Sequence, residues 1–439
     1  MSNQSSIFFW VALQFRFMVF AGLVFFTLTS QALTLEEAIE SAIKVDPSLR
    51  ASKFNVMATE ENIAIARSRL LPQVSIQGSS NQLTQTTTQE LASGGSSSRS
   101  FTGPSVNHQF VIRQALLRPK ELSALRYAEL QTQYMELKYK SDVKDLRNRV
   151  ITAWIELLGA QQIAQAYERP LHLMQVATKQ ERARYEHGDS TKDAVMESEA
   201  QYENSKATYF QALETLKVKQ SAFEKLTKIP ADALAGKKLV IDSLPVFSEA
   251  GKGVLWANFQ DASLELQMAK LQEQMQLERV KMAEADHKPT LDLLAAVNLA
   301  QNDATSTQGY QYRNKQVGVQ YTIPLFAGGG LAAGARQANL VYEASLAEGE
   351  ALNSRVEMDF NYAWAQALGG KHKQNALIEA LLSAEEQTRA TRRGFELGLK
   401  SMAEMAATEM NVCRKVVDLL MASQDYSKIL FKLKMFDIY

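Results

Sequence analysis

The sequence predicts a mainly α-helical chain with a small transmembrane β part. Three observations carry that prediction. Long stretches rich in helix formers lack both breakers; from Lys120 to Leu158 neither glycine nor proline occurs. Four segments alternate apolar and polar residues, the period of a half-buried strand. The order of these features occurs twice along the chain, at an offset of 210 residues.

The N-terminus comes first. Arg16 precedes an apolar run over residues 17–28, and Ser30, Gln31 and Ala32 follow with small residues where a signal peptidase reads. Residues 1–32 thus read as a signal peptide cleaved after Ala32. An N-terminal membrane anchor is the alternative, but the run is short for a spanning helix of about 20 residues. No later apolar run is long enough to span as a helix. The chain is therefore expected to be exported, with any membrane crossing left to strands.

The first copy of the plan covers residues 33–228. Thr34 and Glu37 form a capping signal for a helix that runs to about Arg69, where Leu71 and Pro72 stop it. A strand is expected over 73–83. Ser/Thr/Gln/Gly-rich sequence from Thr84 to Gly103 reads as a long exposed loop. A second strand over 105–114 alternates Val106, His108, Phe110 and Ile112 with polar neighbours. Helical sequence of roughly 70 residues then leads to Gly188, a length of about 100 Å at 1.5 Å per residue, with a kink expected at Pro170. After Gly188 the chain turns back; Tyr202, Tyr209, Leu216 and Phe223 recur every seven residues, which predicts side-by-side helix packing.

Residues 229–252 read as an inter-repeat linker, and 253–439 repeat the plan, with strands over 290–300 and 314–324 and a turn at Gly398. Ala153, Trp154 and Leu158 match Ala363, Trp364 and Leu368; Tyr202, Tyr209, Leu216 and Phe223 match Val412, Leu419, Tyr426 and Leu433. Four strands cannot close a barrel, and lipid does not tolerate an open sheet edge. If these strands are membrane-embedded the chain must oligomerise, and three copies give 12 strands. A soluble β cap on a helical stalk is the alternative.

Composition excludes other classes. Among 439 residues, 48 basic and 48 acidic side chains balance to zero net charge, which argues against a nucleic-acid partner. The single cysteine, Cys413, permits no disulfide within the chain, and the five histidines form no His-x3-His pair. No cofactor or metal site is expected. The glycines at 328–330 and 334 match neither nucleotide-binding glycine pattern and read as a strand-to-helix turn. No catalytic constellation is present, so the chain does not read as an enzyme.

Three local motifs carry a family resemblance: Ala66 to Pro72 entering the first strand, Ile323 to Gly329 leaving the last, and the paired turns Arg184 to Gly188 and Gly394 to Gly398. With the repeated order of elements, these make the mature chain resemble the TolC-like outer-membrane factor family. The resemblance implies a homotrimer with a 12-stranded β-barrel in outer-membrane lipid and a periplasmic α-barrel of long antiparallel helices. It implies two partners, a periplasmic adaptor and an inner-membrane transporter, with an ABC-type pump favoured and an RND-type pump the alternative. It puts the Gly188 and Gly398 turns at the periplasmic tip. It also implies entrance-gating roles for Glu404, Lys400 and Phe395. A second acidic position of the family is Ala407 here, so one acidic ring is expected rather than two. Lys400 and Glu404 also stand four apart on one helix, where a solvated ion pair is the plain alternative.

The expected function is an outer-membrane duct for type I protein secretion. Efflux of drugs or other small molecules is the alternative within the class. A non-channel periplasmic or surface coiled-coil protein is the alternative outside it.

Overall fold

The structure, a computed structural model, describes residues 33–92, 94–237, 251–302 and 310–434. The signal-peptide expectation therefore lies outside the described residues, as does most of the linker.

Helix α1 (Leu35–Val45) starts at the expected capping box: Thr34 Oγ1 accepts from the Glu37 amide at 3.2 Å, and Glu37 Oε2 accepts from the Thr34 amide at 2.7 Å. The single helix expected to Arg69 is in fact two. Asp46 leaves helical geometry (φ −67°, ψ 119°) and caps α2 (Pro47–Ser68) by accepting from the Leu49 amide. Pro47 explains the break: it lacks the N–H that would continue α1, and it suits the first position of a new helix.

One antiparallel sheet of order β1-β2-β3-β4 follows, built from β1 (Gln73–Leu91), β2 (Gly95–Leu117), β3 (Thr290–Asn302) and β4 (Tyr310–Thr322). The polar stretch expected to be a loop is strand instead. It pairs in register from Thr84↔Thr102 to Leu91↔Gly95, and Gly94 turns the chain at φ 87°. Local composition suggested a turn, but a partner strand supplies what composition cannot: a continuous ladder and hydroxyl pairs across it. Thr84 pairs with Thr102 at 2.9 Å and Thr86 with Ser100 at 3.2 Å. Among the described residues β2 pairs with β3 as far as Ser105↔Asn302, and the β1–β2 ladder runs on from there over residues 82–91 and their partners for about 30 Å. At the other end β4 stops at Thr322, short of the expected 324, before Pro324, which has no amide to donate.

From the sheet run α3 (Pro119–Glu186, 68 residues), α4 (Lys192–Thr227), α5 (Lys252–Ala262), α6 (Leu264–Ala285), α7 (Gly330–Glu396, 67 residues) and α8 (Met402–Lys434), with one short 3-10 turn at Ala231–Leu234. α3 stays helical across Pro170, which is buried. α3 packs along α4, α6 and α8, so the second hairpin lies against the first.

Equivalent residues of the two copies build equivalent cores. Around Trp154, Leu146, Val150, Leu157 and Phe223 are buried, with the Trp154 and Phe223 rings edge-on at 6.1 Å. Around Trp364, Phe360, Tyr426, Leu430 and Leu433 are buried. The second core adds Trp256 and Phe259, whose rings lie 5.2 and 5.7 Å from Phe360.

Candidate channel wall and entrance

The sheet has two unlike faces. Residues directly opposite in the ladder share a face, so the register sorts every side chain. One face carries Val74, Ile76, Val106, Phe110, Ile112, Leu293, Val297, Leu299, Val317, Val319 and Tyr321. The other carries Gln73, Ser75, Gln77, Asn107, Gln109, Arg113, Asn298, Asn314 and Gln316. Val317 and Tyr321 are 79% and 72% exposed. A water-soluble sheet does not leave its apolar face open in this way; a lipid-facing wall around a wet lumen does. Strands β1 and β4 each have one unpaired edge, open to neighbouring copies. No described helix is long and apolar enough to cross a membrane.

At the opposite end of the helices, two turns share one backbone solution. Gly188 has φ 84° and Gly398 has φ 73°. In the first, the Asp189 amide donates to the Arg184 carbonyl at 2.8 Å and the Gly188 amide to the Tyr185 carbonyl at 3.0 Å. In the second, Leu399 donates to Gly394 at 2.8 Å and Gly398 to Phe395 at 2.9 Å. Both are left-handed glycine caps, in which two amides beyond the helix satisfy its last carbonyls. A Cβ at Gly394 would sit 2.8 Å from Lys400 Cγ, so this glycine lets the lysine stem lie against α7.

Beyond the turns the copies differ. Thr191 caps α4 alone, accepting from the Ala194 amide. Ser401 and Glu404 form a full reciprocal box at the start of α8: the Glu404 amide donates to Ser401 Oγ at 3.1 Å, and Glu404 Oε2 accepts from the Ser401 amide at 2.8 Å. Lys400 Nζ lies 2.6 Å from Glu404 Oε1. The Lys400 ammonium, then the Ser401 amide, hold the Glu404 carboxyl down at about 2. The structure thus joins Lys400 and Glu404, while Phe395 stands half-buried one turn before, its carbonyl closing the glycine cap.

Sequence reasoning missed Glu409. It is 7% exposed and receives Arg169 of α3 at 3.0 Å and Arg392 of α7 at 2.7 Å. One carboxylate therefore ties three helices close to the second turn. The signal was present: Met405, Ala406, Cys413, Val417 and Leu420 form the buried stripe of α8, and Glu409 interrupts it. Further from the turns, Glu156 binds Lys219 of α4 and Lys428 of α8, both at 2.7 Å. Burial pushes its carboxyl up, but the two ammonium groups outweigh this and hold it below the ordinary carboxylate range. Cys413 is a packing residue whose Sγ donates to the Ala166 carbonyl; burial raises its thiol to about 11, far from a nucleophile's range. Gly328 and Gly329 take φ 62° and 81° in the turn into α7. Among the described residues, no group of His, Cys, Asp and Glu is arranged to hold a metal.

The sequence profile described as "Outer membrane efflux protein" matches residues 38–227 and 258–434. The chain belongs to the outer membrane efflux protein family. Its TolC-like character is supported by relatives at low identity over most of their length. The protease secretion protein PrtF of Dickeya chrysanthemi is 24% identical over 373 residues, 84% of this chain and 80% of its own. The outer membrane protein TolC of Vibrio cholerae is 23% identical over 394 residues, 85% and 83% of the two chains. The alkaline protease secretion protein AprF of Pseudomonas aeruginosa is 24% identical over 412 residues, 90% and 82%. The solved outer membrane protein VceC of Vibrio cholerae has a TM-score of 0.73 at 15% identity, covering 92% of this chain and 95% of its own. The Campylobacter jejuni CmeC outer membrane channel has a TM-score of 0.75 at 14% identity, covering 92% and 85%. At that identity the two structures speak for the fold alone, and the fold is the one the sheet faces and hairpins describe. This member of the efflux family is an outer-membrane channel protein that reaches into the periplasm, and its family is one of channels, not enzymes.

Proposed function

We propose that this channel is the outer-membrane duct of a type I protein secretion machine. Channels of the family are trimeric and work with a periplasmic adaptor and an inner-membrane pump. On this reading the homotrimer closes a 12-stranded barrel through the β1 and β4 edges. The two structural repeats, residues 33–228 and 253–439, supply the helical tunnel, and the pump is of the ABC type. The observation that carries the cargo assignment is the match to PrtF and AprF, both named for protease secretion, over 84% and 90% of this chain. Efflux is the second reading, favoured by the match to the outer membrane efflux protein BepC of Brucella suis over 91% of the chain, with an RND-type pump as its partner.

The tip works as the gate. Gly188 and Gly398 let helices reverse in a narrow space, and Glu404, Lys400 and Phe395 line the constriction on the Gly398 side. Opening repacks the α7–α8 hairpin against α3 when the adaptor binds. Deleting the gene and comparing secreted proteome with drug susceptibility tests the cargo. Loss of one large secreted protein with unchanged susceptibility is expected. Unchanged secretion with increased drug sensitivity transfers the assignment to efflux. A stalk protein that forms no channel would give neither heat-modifiable trimers nor pores in planar bilayers.

A further inference from the structure

The apolar face of the sheet is not apolar to its upper edge. On β4 the outward-facing side chains climb from Tyr321 through Val319 and Val317 to Lys315 and then Arg313. The register puts Lys315 beside Val297, and Arg313 beside Leu299, which in turn faces His108 on β2. Three basic residues on β2 and β4 therefore gather on the lipid side of the wall, on either side of Leu299 of β3. Arg313 and His108 stand about 10 Å apart across Leu299, and Lys315 about 7 Å below Arg313, within reach of long side chains converging on one group. Gly78, opposite His108, leaves the ring room to lie over β1; a Cβ there would sit 2.9 Å from the imidazole. Arg313 and Lys315 are exposed and form no ion pair among the described residues. Among the described residues the first carboxylate on this face is Glu90, at the end of the projecting arm.

Height on the barrel gives the cluster its meaning. The helices leave from the Tyr321 end, so the opposite end points outward from the cell. Arg313 lies eight residues above Tyr321, about 27 Å along a strand, or about 20 Å of height after a tilt near 40°. That is the upper limit of an apolar band about 25 Å tall. A lipid-facing cation in mid-bilayer is heavily penalised, but at the interface the penalty fades and a lysine or arginine stem lies along the acyl chains with its head among the headgroups. Barrel closure pairs the backbone edge of β4 and leaves this face open. A cationic cluster with an apolar floor, at headgroup height, complements a lipid that has acyl chains below and phosphate above.

We propose that Arg313, Lys315 and His108 form a binding site for the phosphate groups of an outer-leaflet phosphorylated glycolipid. The proposal rests on the reading of this sheet as an outer-membrane barrel wall. The purified full-length trimer is titrated with lipid A bearing its phosphates and with enzymatically dephosphorylated lipid A, and bound lipid is counted by native mass spectrometry. A preference of roughly 25-fold for the phosphorylated form is expected, at about fivefold for each of Arg313 and Lys315, and it should weaken as salt is raised. R313S/K315S should reduce the preference to under about twofold, whereas Arg313→Lys should largely keep it. Equal binding of both lipids by the wild type, or an undiminished preference in the double variant, would overturn the site. If the double variant fails to trimerise, the two-lipid comparison on the wild type still decides. A wild type that forms no heat-modifiable trimer in membranes would instead remove the barrel reading beneath it.

Discussion

The two hairpin tips are the same backbone with different side-chain restraints. Both close with a glycine in left-handed geometry and the same pair of amide-to-carbonyl bonds. The first tip is held within its own hairpin: Arg182 of α3 pairs with Glu199 of α4, and Glu181 accepts from Ser190 and pairs with Arg184. The second tip presents Leu397 and Leu399 to solvent, 74% and 76% exposed. One carboxylate restrains it on both sides: Glu409 takes Arg392 of α7 within the hairpin and Arg169 of α3 from outside it. A hairpin locked to itself moves as a unit. A hairpin whose internal and external contacts share one carboxylate loosens on both sides when that group goes. The asymmetry supports the proposal that the α7–α8 hairpin is the moving part.

The strongest way to break this comparison is Glu409→Ala. It removes two charge-assisted hydrogen bonds made by a buried carboxylate, worth about 2 kcal/mol once the freed arginines reach water. Hydrogen exchange should speed up across the Gly398 hairpin and stay unchanged across the Gly188 hairpin, and conductance in planar bilayers should rise. Equal change at both tips would show that Glu409 stabilises the bundle generally. Glycine replacement sharpens the common half of the comparison. Gly188→Ala and Gly398→Ala each force a Cβ into left-handed geometry, at about 1 kcal/mol. Thermal or denaturant unfolding should give near-equal losses; a much larger loss at one turn would mean that its conformation carries a restraint the backbone does not show.

Replacing Glu404 is expected to have the smallest effect on stability and, on the proposed gating role, the most specific one on conductance. Glu404→Ala should raise conductance or alter cation block. If both stay as in the wild type, the residue serves only to cap α8 and pair with Lys400. Its pH dependence has a definite sign. The carboxyl is held at about 2, against an ordinary 4.5, so its contribution is complete above about 4.5 and is lost as pH falls through about 2. Exchange of the first α8 amides should therefore be flat from pH 7 to 5, after correction for intrinsic rates, and loosen only near pH 2–3. The first tip has Ala194 at the equivalent position and should show no such acid limb.

Much of the fold was legible because its signals are local and repeated. The 210-residue offset placed Trp154 with Trp364 and Phe223 with Leu433, and these residues anchor the two cores. The turn glycines were readable because only glycine takes that geometry without strain. Three features escaped. The split at Asp46 was written in Pro47, but the apolar periodicity ran across it. The projecting arm reads as a loop in the sequence because Ser, Thr and Gly suit turns when read singly. Glu409 was passed over because a carboxylate on a long helix is usually solvated.

By itself the sequence determined the element types, the two-fold plan, the turn positions and the alternation that separates lipid face from lumen face. These follow from residue periods and backbone sterics, which act over a few positions along the chain. Only the tertiary structure decided how far β1 and β2 stay paired, which carboxylate unites α3, α7 and α8, and that Arg313, Lys315 and His108 share one level of the wall. Each of those depends on residues distant in sequence meeting across strands or helices, and register and packing fix such meetings where local propensity does not.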